Sequence, residues 1–394
     1  MISESFDKIH FSKAVDEFRF RALEFEELLT SFRMVLKNPG EAISRAILIG
    51  PPGSGKSFVL QNFQQRIKNQ RIIHPKSNIL LRCLSVDCQN HSSSKSVVLE
   101  IIHQIDPFFY ANLAESTTAE LQYILADILL AKKEALIIIF DNIDTLVKKE
   151  PEEVNSLIYG FQRFSEGKGN EEPNLFSQIL VAQDLEFLTE LDQVIFRKIV
   201  TDVIPFEPYT PTQLYQFLKD EIKQNIRKKI AEETIWFIGL ISKGNLHLAF
   251  ELLHKAEILA QKKRSLSIVP EYIRMVNKTL TNFHVSKQTI LELPVGQKLM
   301  LLTIARKFKR NSIAFIDFLE LPGLFISLCE EYASLQEAKF FSEILLSLEE
   351  MALISKHVLG KDIFITMSDI SAAELVRFLE HNLRNDRRDK PFFL

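Results

Sequence analysis

The chain has 394 residues, 46% of them hydrophobic and 25% charged, with a formal net charge of −3. That length suits two or three domains with a sizeable core, and the composition excludes wholesale disorder. The slightly acidic balance excludes a protein coated in positive charge, so any nucleic-acid contact has to come from local basic patches. The three cysteines, Cys83, Cys88 and Cys329, fit neither a disulfide framework nor a four-ligand zinc set. They read as small core residues of a chain expected in a reducing cytoplasm. The opening MISESFDKIHFSK has no apolar stretch before a cleavage site, and no run approaches the ~20 apolar residues of a membrane span, so neither a secretion signal nor a membrane partner is expected.

From Phe18 to Leu36 apolar residues recur at helical spacing, and NPGEA ends the pattern. AILIG, ending at Gly50, is a short strand. KSFVLQNFQQRIKNQ is a helix with one apolar face, and NILLRCLSV is the next strand. SSSKSVVLEIIHQI starts with serines placed to cap a helix, and AELQYILADILLAKKE is another helix. ALIIIF is a third strand, EVNSLIYGFQRFSEG a helix ending at Gly167, LFSQILVAQD a fourth strand and KIVTDVIPF a fifth. Strands alternating with helices predict a parallel sheet covered on both faces, an α/β class. After FEPYTP the pattern turns helical over Leu214–Ile230, Glu233–Lys243, Leu246–Gln261 and SLSIVPEYIRMVNKTL. From about Leu291, GQKLMLLTIARKFKR, LPGLFISLCEEYA and LQEAKFFSEILLSLEEMALI are three helices, followed by SKHVLGKDIFITM, two short strands around a turn at Gly360. Three helices and a hairpin is the winged-helix order. The expected domains are 1–205, 206–284 and 285–394.

The stretch GPPGSGKS runs from Gly50 through Pro51, Pro52, Gly53, Ser54, Gly55 and Lys56 to Ser57, between a strand and a helix. Its glycines let backbone N–H groups wrap phosphate oxygens, Lys56 adds positive charge and the helix N-terminus favours anions. Ser57 can ligate Mg²⁺. Asp141, at the end of the ALIIIF strand, is the carboxylate that such an arrangement turns toward the metal. ATP or ADP with Mg²⁺ is the expected ligand.

In this order the motifs resemble the archaeal replication initiators, relatives of the large subunit of the eukaryotic origin recognition complex and its helicase-loading partner. The resemblance rests on GPPGSGKS, IIIFDNIDTL, LVAQDLEFL, VIPFEPYTPTQLYQFL, GNLHLAFELLHKAEILA and LPVGQKLMLLTIARK, and covers nearly the whole chain. SSSKSVVLEIIHQI looks like part of the helical insertion of initiator-type AAA+ ATPases, and FRFRALEFEEL like a degraded form of the segment that meets adenine. The resemblance implies an AAA+ P-loop core with a parallel sheet, an all-helical lid and a C-terminal winged-helix domain. It also implies origin duplex DNA, the replicative helicase and homologous or self subunits as partners.

Four positions depart from that pattern. Asn142 stands where the family carries a glutamate base; an amide orients water but accepts no proton, and losing a general base typically costs ~10²–10⁴ in rate. Gln183 occupies the sensor position usually held by Asn, Ser or Thr, and still hydrogen-bonds. His247 replaces the lid arginine, with Asn245 beside it, and is mostly uncharged near neutrality where Arg is always charged. Arg197, next to Lys198, is the candidate finger arginine for a neighbour's nucleotide. Asp144, two residues past Asn142, is a carboxylate that could act as a substitute base. The binding parts are intact and the hydrolysing parts eroded, which predicts tight ATP binding with slow turnover or none.

For DNA, the expected recognition helix LQEAKFFSEILLSLEE offers Lys339 and Ser342 but also Glu337, Glu343, Glu349 and Glu350. The wing offers Lys356, His357 and Lys361. Residues 291–394 hold 13 Lys and Arg against 15 Asp and Glu, and because phosphate neutralisation supplies most non-specific affinity, weak binding by this domain alone is expected. The basic islands ARKFKR, RNDRRDK and KQNIRKK read first as solvated faces, and His91 and His254 have no second ligand at metal spacing. Two alternatives stand beside an initiator: a non-hydrolysing, ATP-holding scaffold subunit of a hetero-oligomer with weak DNA binding, and a P-loop winged-helix transcription regulator.

Overall fold

The computed structural model describes residues 20–109, 115–164, 173–191, 202–280, 286–359 and 362–388. They fall into two compact units, Met1–Pro208 and Tyr209–Leu394.

The first unit is built on β1 (Arg45–Ile49), β2 (Leu80–Asp87), β3 (Glu134–Asp141), β4 (Phe176–Ala182) and β5 (Val203–Pro205), all parallel in the order β2-β3-β4-β1-β5. The unbroken apolar run of β3 is what a strand covered on both faces requires. Its side chains alternate between two cores. Ala135, Ile137 and Ile139 pack with Val59, Leu60, Phe63 and Ile67 of α3 (Lys56–Gln70). Leu136, Ile138 and Phe140 face α4 (Ser94–Ile105), α5 (Thr118–Lys132) and α7 (Pro151–Arg163). The serines before α4 cap it as expected, Ser93 and Ser96 forming a reciprocal capping box.

The expected first helix arrives in two pieces, α1 (Ala22–Ser31) and α2 (Arg33–Lys37), parted at Phe32. That ring is fully buried and meets Phe63 edge-on at 5.5 Å, and helical backbone bonds still flank it, Phe32 N–H to the Leu28 carbonyl and Leu36 N–H to the Phe32 carbonyl. The fourth strand stops at Ala182 and the fifth is only three residues long. Between β3 and α7 lies a one-turn helix, α6 (Ile143–Val147).

The second unit opens with α8 (Pro211–Asn225), α9 (Glu232–Ile241), α10 (Leu246–Lys262) and α11 (Pro270–Leu280). A two-residue parallel bridge, β6 (Lys229–Ile230) with β7 (Ser267–Ile268), ties the helices together; it is too short to leave a periodic signal. Then come α12 (Lys287–Glu292), α13 (Val295–Asn311), β8 (Ile316–Asp317), α14 (Leu321–Glu331), a three-ten turn (Leu335–Phe340), α15 (Phe341–Glu350), β9 (Ser355–Leu359), β10 (Asp362–Thr366) and α16 (Ala372–Arg388). The three strands form an antiparallel sheet, β8-β10-β9. The order helix, strand, helix, helix, hairpin is consistent with the expected winged helix. The expected recognition helix is not continuous, since its first six residues, Leu335–Phe340, are the three-ten turn.

A buried polar seam runs through this unit. Arg274 of α11 is wholly enclosed. Its Nε donates to the Met367 carbonyl at 2.8 Å, its Nη2 donates to Ile313 and Ala314 at 3.0 and 3.2 Å, and its guanidinium lies 4.1 Å from the Phe308 ring centroid. Burial lowers its pKa to about 10, so it keeps its charge at neutrality. Glu271 accepts from the Ala372 and Ala373 N–H groups at 3.2 and 3.3 Å, capping α16 from outside its own chain segment, and Glu233 accepts from the Ala314 N–H at 2.7 Å. Among the described residues no helix is long and apolar enough to cross a membrane.

Candidate nucleotide site

The strand order brings the C-terminal ends of β3, β4 and β1 side by side, where open α/β sheets take their ligands. The loop from Gly50 to Gly55 leaves β1 here and enters α3. Gly53 and Gly55 hold φ of 73° and 96°, a left-handed turn that glycine adopts without strain. At Gly50 a side chain is excluded by contact: a Cβ would stand 2.2 Å from the Phe206 carbonyl oxygen.

Lys56 opens α3 and folds its ammonium back onto the carbonyls of Gly50 and Pro51, the second at 3.1 Å. Burial lowers its pKa, while the charges of Asp141 and Asp144 work the other way. The Ser54 hydroxyl is buried without a hydrogen-bond partner, and Ser57 is exposed at the start of α3. A buried polar atom left open in this loop is the signature of a cradle shaped for a polar ligand.

Asp141 ends β3. Burial raises its pKa and the Asp87 charge raises it further, against the Asn142 N–H bond to its Oδ1 at 3.0 Å and the charge of Lys56. A half-buried carboxylate in this state gains from a cation. With the Ser57 hydroxyl it would offer two oxygen ligands, a donor set of the kind that Mg²⁺, an ion held by one or two protein groups plus phosphate and water, takes. Among the described residues no cluster of three or more His, Cys, Asp or Glu offers a protein-only cage.

Asn142 sits in the left-handed region at φ 53°, which Asn tolerates better than most residues. Its Nδ2 donates to Asp87 Oδ1 at 2.9 Å. Asp87 closes the neighbouring strand β2, in register with Asp141, and also accepts from the Gln89 N–H and the Asn90 amide. The amide at position 142 is therefore engaged with a carboxylate one strand away. Sequence reasoning missed Asp87; the signal was present in two adjacent strands that both end in Asp. Asp144 is 5% exposed and its Oδ1 has no hydrogen-bond partner, which puts a second buried carboxylate behind the loop, close enough for its charge to act on Lys56.

Arg21, from the segment likened to an adenine contact, was also missed. It is buried, pairs with Glu24, donates to the Glu207 carbonyl and lies 5.4 Å from the centroid of Phe206, the residue that backs Gly50. Its charge acts on Lys56. Gln183 is exposed just beyond β4. Arg197 lies outside the described residues.

The remaining expected positions belong to the second unit. His247 is exposed in the first turn of α10. Lys339 and Ser342 are exposed. Lys356 carries its ammonium 5.2 Å above the Phe318 ring. His357 is half-buried, and burial lowers its pKa, leaving a neutral imidazole at pH 7 that can hydrogen-bond to a phosphate but not neutralise it. Lys361 lies outside the described residues. His254 pairs with Glu221 at 3.0 Å, and the three cysteines are unbridged and buried or half-buried.

A family model described as an AAA domain matches residues 44–191. Over 93% of its length the chain is 24% identical to the ORC1-type DNA replication protein 2 of Sulfurisphaera tokodaii, of which 89% is covered. The crystal structure of Cdc6p from Pyrobaculum aerophilum shares the fold with a TM-score of 0.78 at 21% identity, covering 95% of this chain and 97% of that one. The Aeropyrum pernix ORC1 protein, solved in complex with DNA, gives a TM-score of 0.56 at 19% identity with 93% of both chains covered. With its phosphate loop and its Asp141 strand, the chain carries an AAA domain over residues 44–191 and is similar along nearly its whole length to archaeal ORC1-type DNA replication proteins, whose Cdc6 and ORC1 structures share its fold.

Proposed function

We propose that this protein is an initiator that binds ATP with Mg²⁺ tightly, hydrolyses it slowly, binds origin duplex DNA and helps bring in the replicative helicase. Its division of labour follows a nucleotide-binding core over 1–205, a lid over 206–284 and a winged helix over 285–394. The observation that carries the nucleotide half is the cradle of Gly50–Ser57 facing Asp141, with the Asn142 amide bonded to Asp87 where a free base is needed. Mg²⁺, when bound, neutralises charge on the phosphate oxygens. Lys56 attracts the phosphates, Ser57 and Asp141 hold the metal, and Gln183 hydrogen-bonds from the β4 end. Nothing at position 142 can take the proton of an attacking water, and His247 gives the lid no permanent charge.

The test is an ATP titration with Mg²⁺ followed by single-turnover hydrolysis with and without duplex DNA. Tight binding with turnover far below the ordinary 1–10³ s⁻¹ is expected; turnover within that range refutes slow hydrolysis.

A second reading, an ATP-holding scaffold subunit with weak DNA binding, is favoured by one feature. Along Leu335–Glu350, Leu335, Phe340 and Leu346 are exposed, at 54%, 51% and 57%, among acidic residues. Such a surface repels phosphate and suits a protein contact. Salt-dependent duplex binding separates the two readings, and a footprint at a promoter instead of an origin would turn both toward transcriptional control.

A further inference from the structure

On the outer side of the first unit, away from the phosphate loop, α1, α2 and α3 border a shallow groove of about 440 Å³. Arg33 and Lys37 stand one turn apart on α2, and Arg66 and Gln70 one turn apart on α3, with Thr30 of α1 beside them and an apolar floor. Among the described residues, no acidic one lines it. All three cations are exposed, and none makes an ion pair or a side-chain hydrogen bond among the described residues. Elsewhere in this unit Arg82 is paired with Glu134 at 2.9 Å and Lys132 with Asp106 at 3.0 Å. The groove opens where α2 and α3 end, and a helix end contributes about half a negative charge, less still for the five-residue α2. Three full positive charges outweigh that, so the field in the groove is positive. Arg66 lies ten residues beyond Lys56 on α3, about 15 Å along the axis, so the nucleotide does not reach it.

We propose that this groove holds the phosphodiester backbone of duplex DNA. The proposal rests on the reading above that the protein binds duplex DNA. A row of cations in an open, shallow trough suits an extended polyanion better than a small enclosed one. Thr30 and Gln70 add hydrogen bonds that carry no sequence information. The site would also supply charge that the acidic Leu335–Glu350 segment withholds.

The experiment is duplex binding by fluorescence anisotropy across a salt series, with the full chain and saturating ATP. The wild type is compared with an Arg33→Gln/Lys37→Gln/Arg66→Gln variant and with the wing variant Lys356→Gln, and unchanged ATP affinity and melting temperature report an intact fold. The triple variant is expected to bind more than tenfold more weakly, with a log K against log salt slope shallower by about 2.7, three contacts at about 0.9 each. An unchanged slope in the triple variant, with the wing variant weakened, overturns the groove and leaves the DNA-binding reading standing. No duplex binding by the wild type overturns both. Inorganic tripolyphosphate is the second arm: if it stabilises the wild type but not the triple variant while duplex binding is equal in both, the groove takes free polyphosphate and the DNA assignment is wrong.

Discussion

Replacing Asn142 with Glu installs the general base that the resemblance to replication initiators implies at this position, yet the local geometry predicts that this change alone achieves little. The Asn142 amide donates to Asp87 at 2.9 Å. A glutamate there turns a donor into an acceptor and loses a hydrogen bond to a charged group, worth about 1.5–3 kcal/mol. It also brings two carboxylates to about 4 Å, where like charges repel by about 4 kcal/mol at an effective dielectric of 20. The gain available from a general base is ~10²–10⁴ in rate, or about 3–5 kcal/mol of barrier. Cost and gain are of the same size, so Asn142→Glu should leave turnover near the wild-type level or bind nucleotide poorly. The double variant Asp87→Asn/Asn142→Glu inverts the pair, with the amide on β2 donating to a carboxylate on β3, and escapes the repulsion. It should raise single-turnover ATP hydrolysis by ~10²–10⁴ over wild type, measured at saturating Mg²⁺–ATP with ATP affinity determined in parallel. If the single variant matches the double, the Asp87 contact is irrelevant. If the double variant is no faster than wild type, the missing base is not what limits turnover.

Other substitutions test the remaining parts of the site and the seam. The Asp141 pKa is raised in the folded chain, so the native state holds this proton more tightly than the unfolded chain. The charged form is a cost that is absent below the unfolded pKa and complete above the folded one. Asp141→Asn should therefore raise the melting temperature of nucleotide-free protein at pH 7, an advantage that disappears in acid, and should abolish the extra stabilisation that Mg²⁺ adds to ATP; a lower melting temperature at pH 7 contradicts this. Asp144→Asn tests the buried carboxylate as the substitute base: any residual turnover should vanish while ATP affinity persists, and unchanged turnover rules it out. Gly50→Ala sets a Cβ against the Phe206 carbonyl, so ATP should cease to shift the melting curve, whereas normal ATP stabilisation would show that the loop has room. Arg274→Ala empties a buried hub and leaves the Ile313 and Met367 carbonyls without their partner, while the Ala314 carbonyl keeps the Thr366 hydroxyl at 2.8 Å; a loss of about 3–5 kcal/mol in denaturant unfolding of the second unit is expected, with Arg274→Met losing less because it refills the volume.

The alternation of apolar strands and amphipathic helices made the parallel sheet legible, because strands buried on both faces are apolar along their length, as β3 is from Ala135 to Phe140. The phosphate loop was legible for a similar reason: its glycines, lysine and serine act through spacing along one short segment. Serine caps such as Ser93 are local too. What the pattern could not reveal depends on residues far apart in the chain. Phe32, where α1 and α2 part, packs against Phe63 of another helix. The β6–β7 bridge is two residues on each side, below any periodic signal. The Arg274 seam joins α11 to segments some 40 and 90 residues away, through carbonyls that any residue supplies. The Asn142–Asp87 bond spans two strands, and only their register, Asp87 beside Asp141, brings amide to carboxylate. The sequence by itself determined the AAA+ core, its phosphate-loop motif and the Asn at position 142, because those features are written within single segments. The tertiary structure decided where the nearest carboxylates stand and which cations remain unpaired, because electrostatics depends on distances in space that no contiguous segment contains.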